Sequence, residues 1–411
     1  MTQPLTALAA TDSVENVVVF VSDAMRYDFL PSAVSDLGVT ATAIAPSTFT
    51  ASGLPSLVTG QYPSTHRVWM FDDQVATRPP LLTEDTTDVG FDAGTVWTEL
   101  PEPEKPPLQI HHVTAERTLD DLEAPFTHLI HDVGPHAPYG FDNDVFESTR
   151  EFFEEHERRR GPLVGLYRDD CTRSAERFLD VYETIEDRGL LSETLFVFTS
   201  DHGQCLGEPA AGGRFGHGHP MVPETVEIPV VFAGAGLPGG VEYGELISGT
   251  DVAPTALSAQ RGTVPGDVDG VDLWRSTAPE ERAPRSEVWQ HVDLDAGPLE
   301  LSLTVYAAAS AWDEGGGHVF QRGSRAERTA ALTYDNLARG YAPAWKHNTS
   351  PGSLLSFLQL SLEQRRTHGA PELTATEAEA AVPESFERGD AASETTLNER
   401  QEDRLRDLGY L

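Results

Sequence analysis

Carboxylate and imidazole donors recur at a few points of this sequence. They are Asp23, the pair Asp201–His202, Asp132 with His136 four residues on, and His217 in the run FGHGH. Such mixtures suit Zn²⁺, Mn²⁺ or related divalent ions. Two ions about 4 Å apart can clamp the attacking and leaving oxygens of a displacement. A displacement also needs a nucleophile, and a hydroxyl is weak at its free pKa unless a metal or base lowers it. The stretch Ala45–Gly60, APSTFTASGLPSLVTG, offers Ser47, Thr48, Thr50 and Ser52. Residue type alone does not choose among them. His131 reads equally as a helper of the site or as a buried, satisfied histidine. His66, His111 and His112 read as surface or structural, Arg26 and Asp28 as a structural pair, and Cys171 as core.

These residues need elements that bring them together. Val17–Asp23, VVVFVSD, is a β-branched apolar run that stops on an acid, the pattern of a buried strand. Thr127–Asp132 (THLIHD) and Leu195–Asp201 (LFVFTSD) repeat it. Open α/β sheets bind ligands beyond the carboxyl ends of their strands. Three strand-end acids therefore predict one site assembled from distant segments. Tyr167, Cys171, Ala175, Phe178, Tyr182 and Ile185 step by three and four, one face of a helix that Gly189 closes. Leu54–Val58 and Val145–Arg160 also read as helical, Glu227–Ala233 as a strand, and Asp251–Gln260 as a short helix. Thr83–Asp92 and the proline-rich Leu100–Pro107 read as surface loops. Beyond about Leu273 the texture changes, with strands expected at Glu287–Val292, Leu301–Ala308 and His318–Gln321. The expected architecture is α/β. A mostly parallel central sheet carries helices on both faces (residues 1–275), and a smaller sheet-containing subdomain follows (residues 276–411). Glu372–Glu399 reads as a solvated acidic excursion, and Glu402–Leu411 as a tail whose apolar residues dock on the body.

Composition narrows the partners. The 411 residues hold 66 acids against 29 bases, a formal net charge of -37. Regular apolar strands exclude general disorder, so the excess reads as the carboxylate surface of a protein at very high salt. There, like-charge repulsion is screened within about 3 Å at 1 M. The same surface opposes nucleic acid or anionic membrane as a partner. Cys171 and Cys205 have no metal-type spacing and make no disulfide framework. No run approaches the ~18 apolar residues of a membrane span, and the N-terminus lacks a leader pattern. The chain reads as cytoplasmic.

Taken together, the motifs resemble the alkaline phosphatase superfamily, in particular its sulfatase-like and phosphodiesterase branches, of halophilic archaeal type. Asp23–Arg26 and Leu57–Gly60 are similar to the family's D-x-x-R and L-[LV]-T-G. The family nucleophile stands ten residues before that glycine, on Thr50. HDVGPHAPYG resembles H-x-x-x-P-H-x-P-Y, TSDHG the second core motif, and GHG with PETVEIPVVF the later histidine motif. TDVAPT, DVDGVDL and RLRDLGYL resemble later landmarks.

The resemblance implies an alkaline phosphatase-like three-layer sandwich with two divalent ions (Zn, Mn, or Mg/Ca). Asp23, Asp201 and His202 would hold one, with Thr50 Oγ1 on it. Asp132, His136 and His217 would hold the other, His217 rather than His219 because it keeps the family spacing to Pro229. Thr50 and His136 would be catalytic. The implied activity is hydrolysis of a small anionic phosphate (mono- or diester) or sulfate ester. The TASGL segment lacks the C/S-x-P-x-R of formylglycine sulfatases, so that chemistry is not expected. A phosphoglycerol-type transferase and a catalytically silent binder of an anionic ligand are the alternatives.

Overall fold

The computed structural model describes residues 3–85, 87–94, 97–140, 146, 148–295, 300–389 and 395–410. In chain order the strands of the main sheet and a small ribbon are β1 (Asn16–Ser22), β2 (Gly38–Ile44), β3 (Asp88–Asp92), β4 (Phe126–Asp132), β5 (Thr194–Thr199), β6 (Cys205–Leu206), β7 (Phe215–Gly216), β8 (Glu227–Gly234), β9 (Val241–Glu242) and β10 (Ile247–Ser248). The main sheet runs β10-β2-β8-β5-β1-β4-β3, with β9 also on β2, and β6 pairs with β7 alone. All its pairings are parallel except those of β8, which lies antiparallel between β2 and β5.

The three acid-ended runs are neighbours. β1 is central, with β4 on one side and β5 on the other. All seven of its residues are buried, which is why they form a continuous apolar run rather than an alternating one. Side chains of a strand still alternate between faces. Val17, Val19 and Val21 pack on one side with the helices Thr50–Thr59 and Val252–Arg261. Val18 and Phe20 pack on the other with Leu163, Tyr167 and Phe178 of the helix Arg160–Asp187. Each such buried side chain contributes about 1.5–3 kcal/mol. The result is the expected three-layer α/β sandwich.

A second sheet follows, antiparallel in the order β11 (Arg285–Asp295), β12 (Glu300–Asp313), β13 (Gly316–Gln321), β14 (Arg365–Gly369). Its Val288, Tyr306, Ala308 and Trp312 join the same apolar cluster as Val17 and Val19 of β1. The two sheets thus share one continuous core.

Several local expectations change. Asp88–Asp92 is an edge strand rather than loop, because β4 supplies its hydrogen-bonding partner. The prolines of Leu100–Pro107 open short helices at Glu102–Glu104 and Pro106–Ile110, where a missing N–H is harmless. The polar helix expected from Val145 is seen over Thr149–Glu155, and its expected start lies outside the described residues. The acidic excursion contains the helix Ala375–Ala381, and its Phe386 ring packs against Trp69. The tail forms a helix, Glu399–Leu408, that buries Gln401, Leu405 and Leu408. Gly409 ends it at φ 87°, the left-handed turn that sends Tyr410 back into the body. No helix among the described residues is long and apolar enough to cross a membrane.

Candidate active site

Asp23 lies one residue beyond β1, and Asp201 and His202 lie just beyond β5. Parallel pairing of β1 with β5 brings the three together, each buried. Thr50 opens the Thr50–Thr59 helix and is 1% exposed. The positive end of that helix's dipole therefore lies at its hydroxyl. The first turn can come this close because residue 53 is glycine: a Cβ there would stand 2.8 Å from the Asp201 carbonyl oxygen. Thr50 Oγ1 is 3.0 Å from His202 Nε2. His202 Nδ1 is 2.9 Å from the Gly203 carbonyl, so it carries the proton and donates. Nε2 is left with a lone pair facing Thr50 and, at 3.6 Å each, the carboxylates of Asp23 and Asp201.

His131 belongs to this cluster. Its Nε2 lies 3.4 Å from Asp23 Oδ2, and donor atoms of Asp23, His131 and Asp201 all fall within 4.8 Å of one another. Among the described residues Asp23 Oδ1, Asp201 Oδ2 and both His131 ring nitrogens make no hydrogen bond. Buried polar atoms without partners are rare in folded proteins. Two carboxylates and an imidazole aimed at one another fit a divalent cation. Charge balance points the same way. Burial works against ionisation of Asp23, but His136, His131 and His202 outweigh it and hold its carboxyl down to about 2. Burial and the adjacent Asp23 charge push Asp201 up. Burial also opposes charge on His131, yet Asp23 and Asp201 lift it above its ordinary value. The two acids compete for the same local positive charge, and a cation would satisfy both.

Asp132 stands apart. Arg177 donates to both its carboxylate oxygens at 2.6 and 2.9 Å, and Ser174 and the Gly134 amide also donate to it. The reason is the period of the strand. In β4, Leu129 and His131 share the face of Thr50, whereas Ile130 and Asp132 point to the opposite layer, where the Arg160–Asp187 helix carries Ser174 and Arg177. There Asp132 lines a separate cavity of about 510 Å³ with His128 and Arg177. The ligand trio of Asp132, His136 and His217 is thus not assembled. One position earlier, His131 takes the inward place.

His136 and His217 do meet, with their Nε2 atoms 2.9 Å apart. His136 Nδ1 donates to the Ala137 carbonyl at 2.7 Å. The His217 ring stacks on His202 at 4.3 Å between centroids. Its loop is tied to the nucleophile's loop by Thr48, whose carbonyl accepts from the Gly218 amide while its hydroxyl donates to the Gly218 carbonyl. Burial lowers the pKa of both, His217 strongly, and neighbouring histidines add to this. His219 is engaged elsewhere, between Gln290 and Asp335. Arg26 pairs with Asp28 and Glu208 as a structural clamp.

Sequence reasoning missed Tyr410. Its hydroxyl donates to Asp23 Oδ2 at 3.1 Å and lies 3.4 Å from Thr50 Oγ1. Its ring stacks on His136 at 5.0 Å. Burial and nearby Asp23 raise its pKa well above the ordinary value, so the phenol keeps its proton. The apolar tail signalled docking, but nothing local signalled where its tyrosine would land. The pocket that His217 and Tyr410 line together holds about 20 Å³.

Residues 112–262 match the family model for Sulfatase. The chain is 40% identical over 413 positions to the "Low-salt glycan biosynthesis sulfotransferase Agl7" of Haloferax volcanii, the match covering 100% of both. The chain belongs to the sulfatase family. That family lies in the alkaline phosphatase superfamily, and solved sulfatase-like structures share this fold. The phosphonate monoester hydrolase of Agrobacterium radiobacter has a TM-score of 0.54 at 17% identity, over 89% of this chain and 99% of that one. The enzyme of the same name from Silicibacter pomeroyi has a TM-score of 0.54 at 16% identity, over 75% and 87%. The matched segment of the sulfatase model contains Asp201, His202 and His217 but not Asp23 or Thr50. Those two enter the site through the fold.

Proposed function

We propose that this sulfatase-family enzyme moves a sulfuryl or phosphoryl group from an anionic ester through the Thr50 hydroxyl. One observation carries the reading: Thr50 Oγ1, alone of the hydroxyls in its loop, sits 3.0 Å from His202 Nε2 beside unpartnered oxygens of Asp23 and Asp201. Ser47 and Ser52 bond each other instead, and Thr48 bonds Gly218. Asp23, Asp201 and His202, with His131 beside them, are the residues that would hold a divalent cation. When bound, such an ion lowers the pKa of a nearby hydroxyl and offsets charge on the transferring group.

The chain's own groups do the rest. Packing of the Thr50–Thr59 helix orients the nucleophile. A bond forms from Thr50 Oγ1 to sulfur or phosphorus as the bond to the ester oxygen breaks, and the proton that Thr50 gives up is returned to the leaving oxygen through the His136–His217 pair, which ends the step with the protons it began with. A second hydroxyl then takes the group from Thr50. The name of the full-length relative favours sulfate as the group and a sugar hydroxyl as the acceptor. Water as acceptor gives the hydrolase reading, which the phosphonate hydrolase fold also accommodates.

The test is turnover of aryl sulfate and aryl phosphate esters with Mn²⁺ or Zn²⁺, with and without a sugar acceptor, plus peptide mass of the Thr50 segment after quenching. Expected are a modified Thr50 and sulfated or phosphorylated sugar, both absent in Thr50→Ala. Equal turnover by wild type and Thr50→Ala would overturn the assignment.

A further inference from the structure

Among the described residues, every large apolar side chain left open to solvent lies between Leu303 and Leu362. Four belong to the helix Pro351–Leu362: Leu354, Leu355, Leu358 and Leu362 are 44%, 59%, 53% and 55% exposed. At ~100° per residue they fall within an arc of about 100°. Ser353 and Leu360, on the opposite side of that helix, are buried. Tyr334 and Leu337 extend the apolar face onto the neighbouring helix Arg325–Ala338, and a shallow hollow of about 740 Å³ joins them to Leu362. A contiguous exposed apolar face of this kind marks an interaction surface.

Charge indicates what it fits. From Arg322 to Arg366 there are seven bases and three acids, in a chain whose total is -37. The leucines therefore sit in a stretch of positive balance, while the acid excess is carried elsewhere. Of these bases, Arg325, Lys346 and Arg365 are exposed, against Glu363 as the one exposed acid of the stretch. Leucines flanked by basic side chains make up interfacial helices, and such bases draw a surface to anionic lipid. A second copy of the same face would set these like charges against each other. We propose that the face of the Pro351–Leu362 helix and the open edge of Arg325–Ala338 docks flat on an anionic lipid surface. Total charge speaks against such a partner, but total charge does not describe this face.

The placement is useful to the site. A second cavity, of about 470 Å³, lies on the other side of Tyr334, lined by Met70, Leu303, Asp335, Arg339 and Tyr410 among others. It ends on the tyrosine that covers Thr50. Docking would bring the mouth of that path to the lipid surface, where an ester or acceptor carried on a lipid headgroup could enter. This last clause rests on the Thr50 reading, whereas the docking itself does not.

The experiment is flotation of the full chain with phosphatidylglycerol vesicles and with phosphatidylcholine vesicles, under salt at which circular dichroism shows it folded. Expected is co-flotation with phosphatidylglycerol, about fivefold or more above phosphatidylcholine. Leu355→Glu with Leu358→Glu should cut the bound fraction about tenfold or more, with the dichroism spectrum and turnover of a soluble aryl ester unchanged. Arg365→Glu with Arg366→Glu should remove the preference for phosphatidylglycerol. No flotation, or flotation indifferent to the leucine variant, would overturn the proposal. So would a dimer in sedimentation velocity that the leucine variant converts to monomer, since a second copy would then cover the face. Vesicle binding is scored without turnover, so failure of the Thr50 reading leaves this outcome intact.

Discussion

Replacing Asp201 by Asn should change stability in opposite directions with and without a divalent ion. Without one, Asp201 Oδ2 is buried and unpartnered beside Asp23. The other oxygen accepts from the amides of Ala24 and His202, bonds that Asn keeps. Relief of one unsatisfied buried charged group is worth about 1–3 kcal/mol. With an ion at 100 to 1,000 times its Kd, wild type gains about 2.7 to 4.1 kcal/mol, and the variant loses a ligand. Unfolding entropy of about 2.1 cal/mol/K per residue, over this length, makes 1 kcal/mol about 1 °C. The chelated variant should therefore melt about 1–3 °C above chelated wild type. Mn²⁺ or Zn²⁺ should raise wild type by about 3–5 °C and leave the variant nearly unmoved. Scanning calorimetry with EDTA and with each metal reads both shifts. Equal metal-induced shifts in the two proteins, or none in wild type, would refute a cation site at Asp23, His131 and Asp201.

Three further outcomes follow from the same geometry. Burial lowers His66 to about 3, His111 to about 4 and His128 to about 4, from 6.5. The unfolded chain therefore takes up protons first as pH falls below 6.5, and stability present above that pH is lost toward 4. The loss is about 1.4 kcal/mol per pH unit for each histidine, or about 6 kcal/mol for the three by pH 5. Denaturant midpoints at pH 7 and pH 5 measure it, and His128→Asn should flatten the dependence by roughly a third. Asp132→Asn should lower stability by about 1–2 kcal/mol, because Arg177 is part-exposed. It should leave the metal content per chain unchanged, and loss of a bound ion in elemental analysis would return Asp132 to the site. Tyr410→Phe keeps the ring on His136 but frees Asp23 Oδ2 of its donor. Divalent-ion affinity should tighten about tenfold or more, as read by competition with a metal indicator, and unchanged or weaker binding would contradict this.

Much of this protein is legible in one dimension. Wholly buried parallel strands must be continuous apolar runs, so Val17–Asp23, Thr127–Asp132 and Leu195–Asp201 announce themselves as strands, whereas their order in the sheet comes only from the structure. The 3.6-residue step of Tyr167 to Ile185 announces the helix that covers one layer. Asp23 and Asp201 stand out because they end those strands, while the roles of His202 and Thr50 come only from the resemblance of TSDHG and of the spacing to Gly60 to family motifs. What folding alone decided is which face each strand-end side chain meets and what arrives from far away. Strand parity turned Asp132 toward Arg177 and put His131 in the place expected for an acid, a one-residue difference that composition does not encode. Tyr410 reaches Asp23 across 387 positions, and gathering of bases and leucines on one face is invisible in a net charge of -37. Local periodicity reports how a segment folds. Contact between segments depends on the packing of every layer between them.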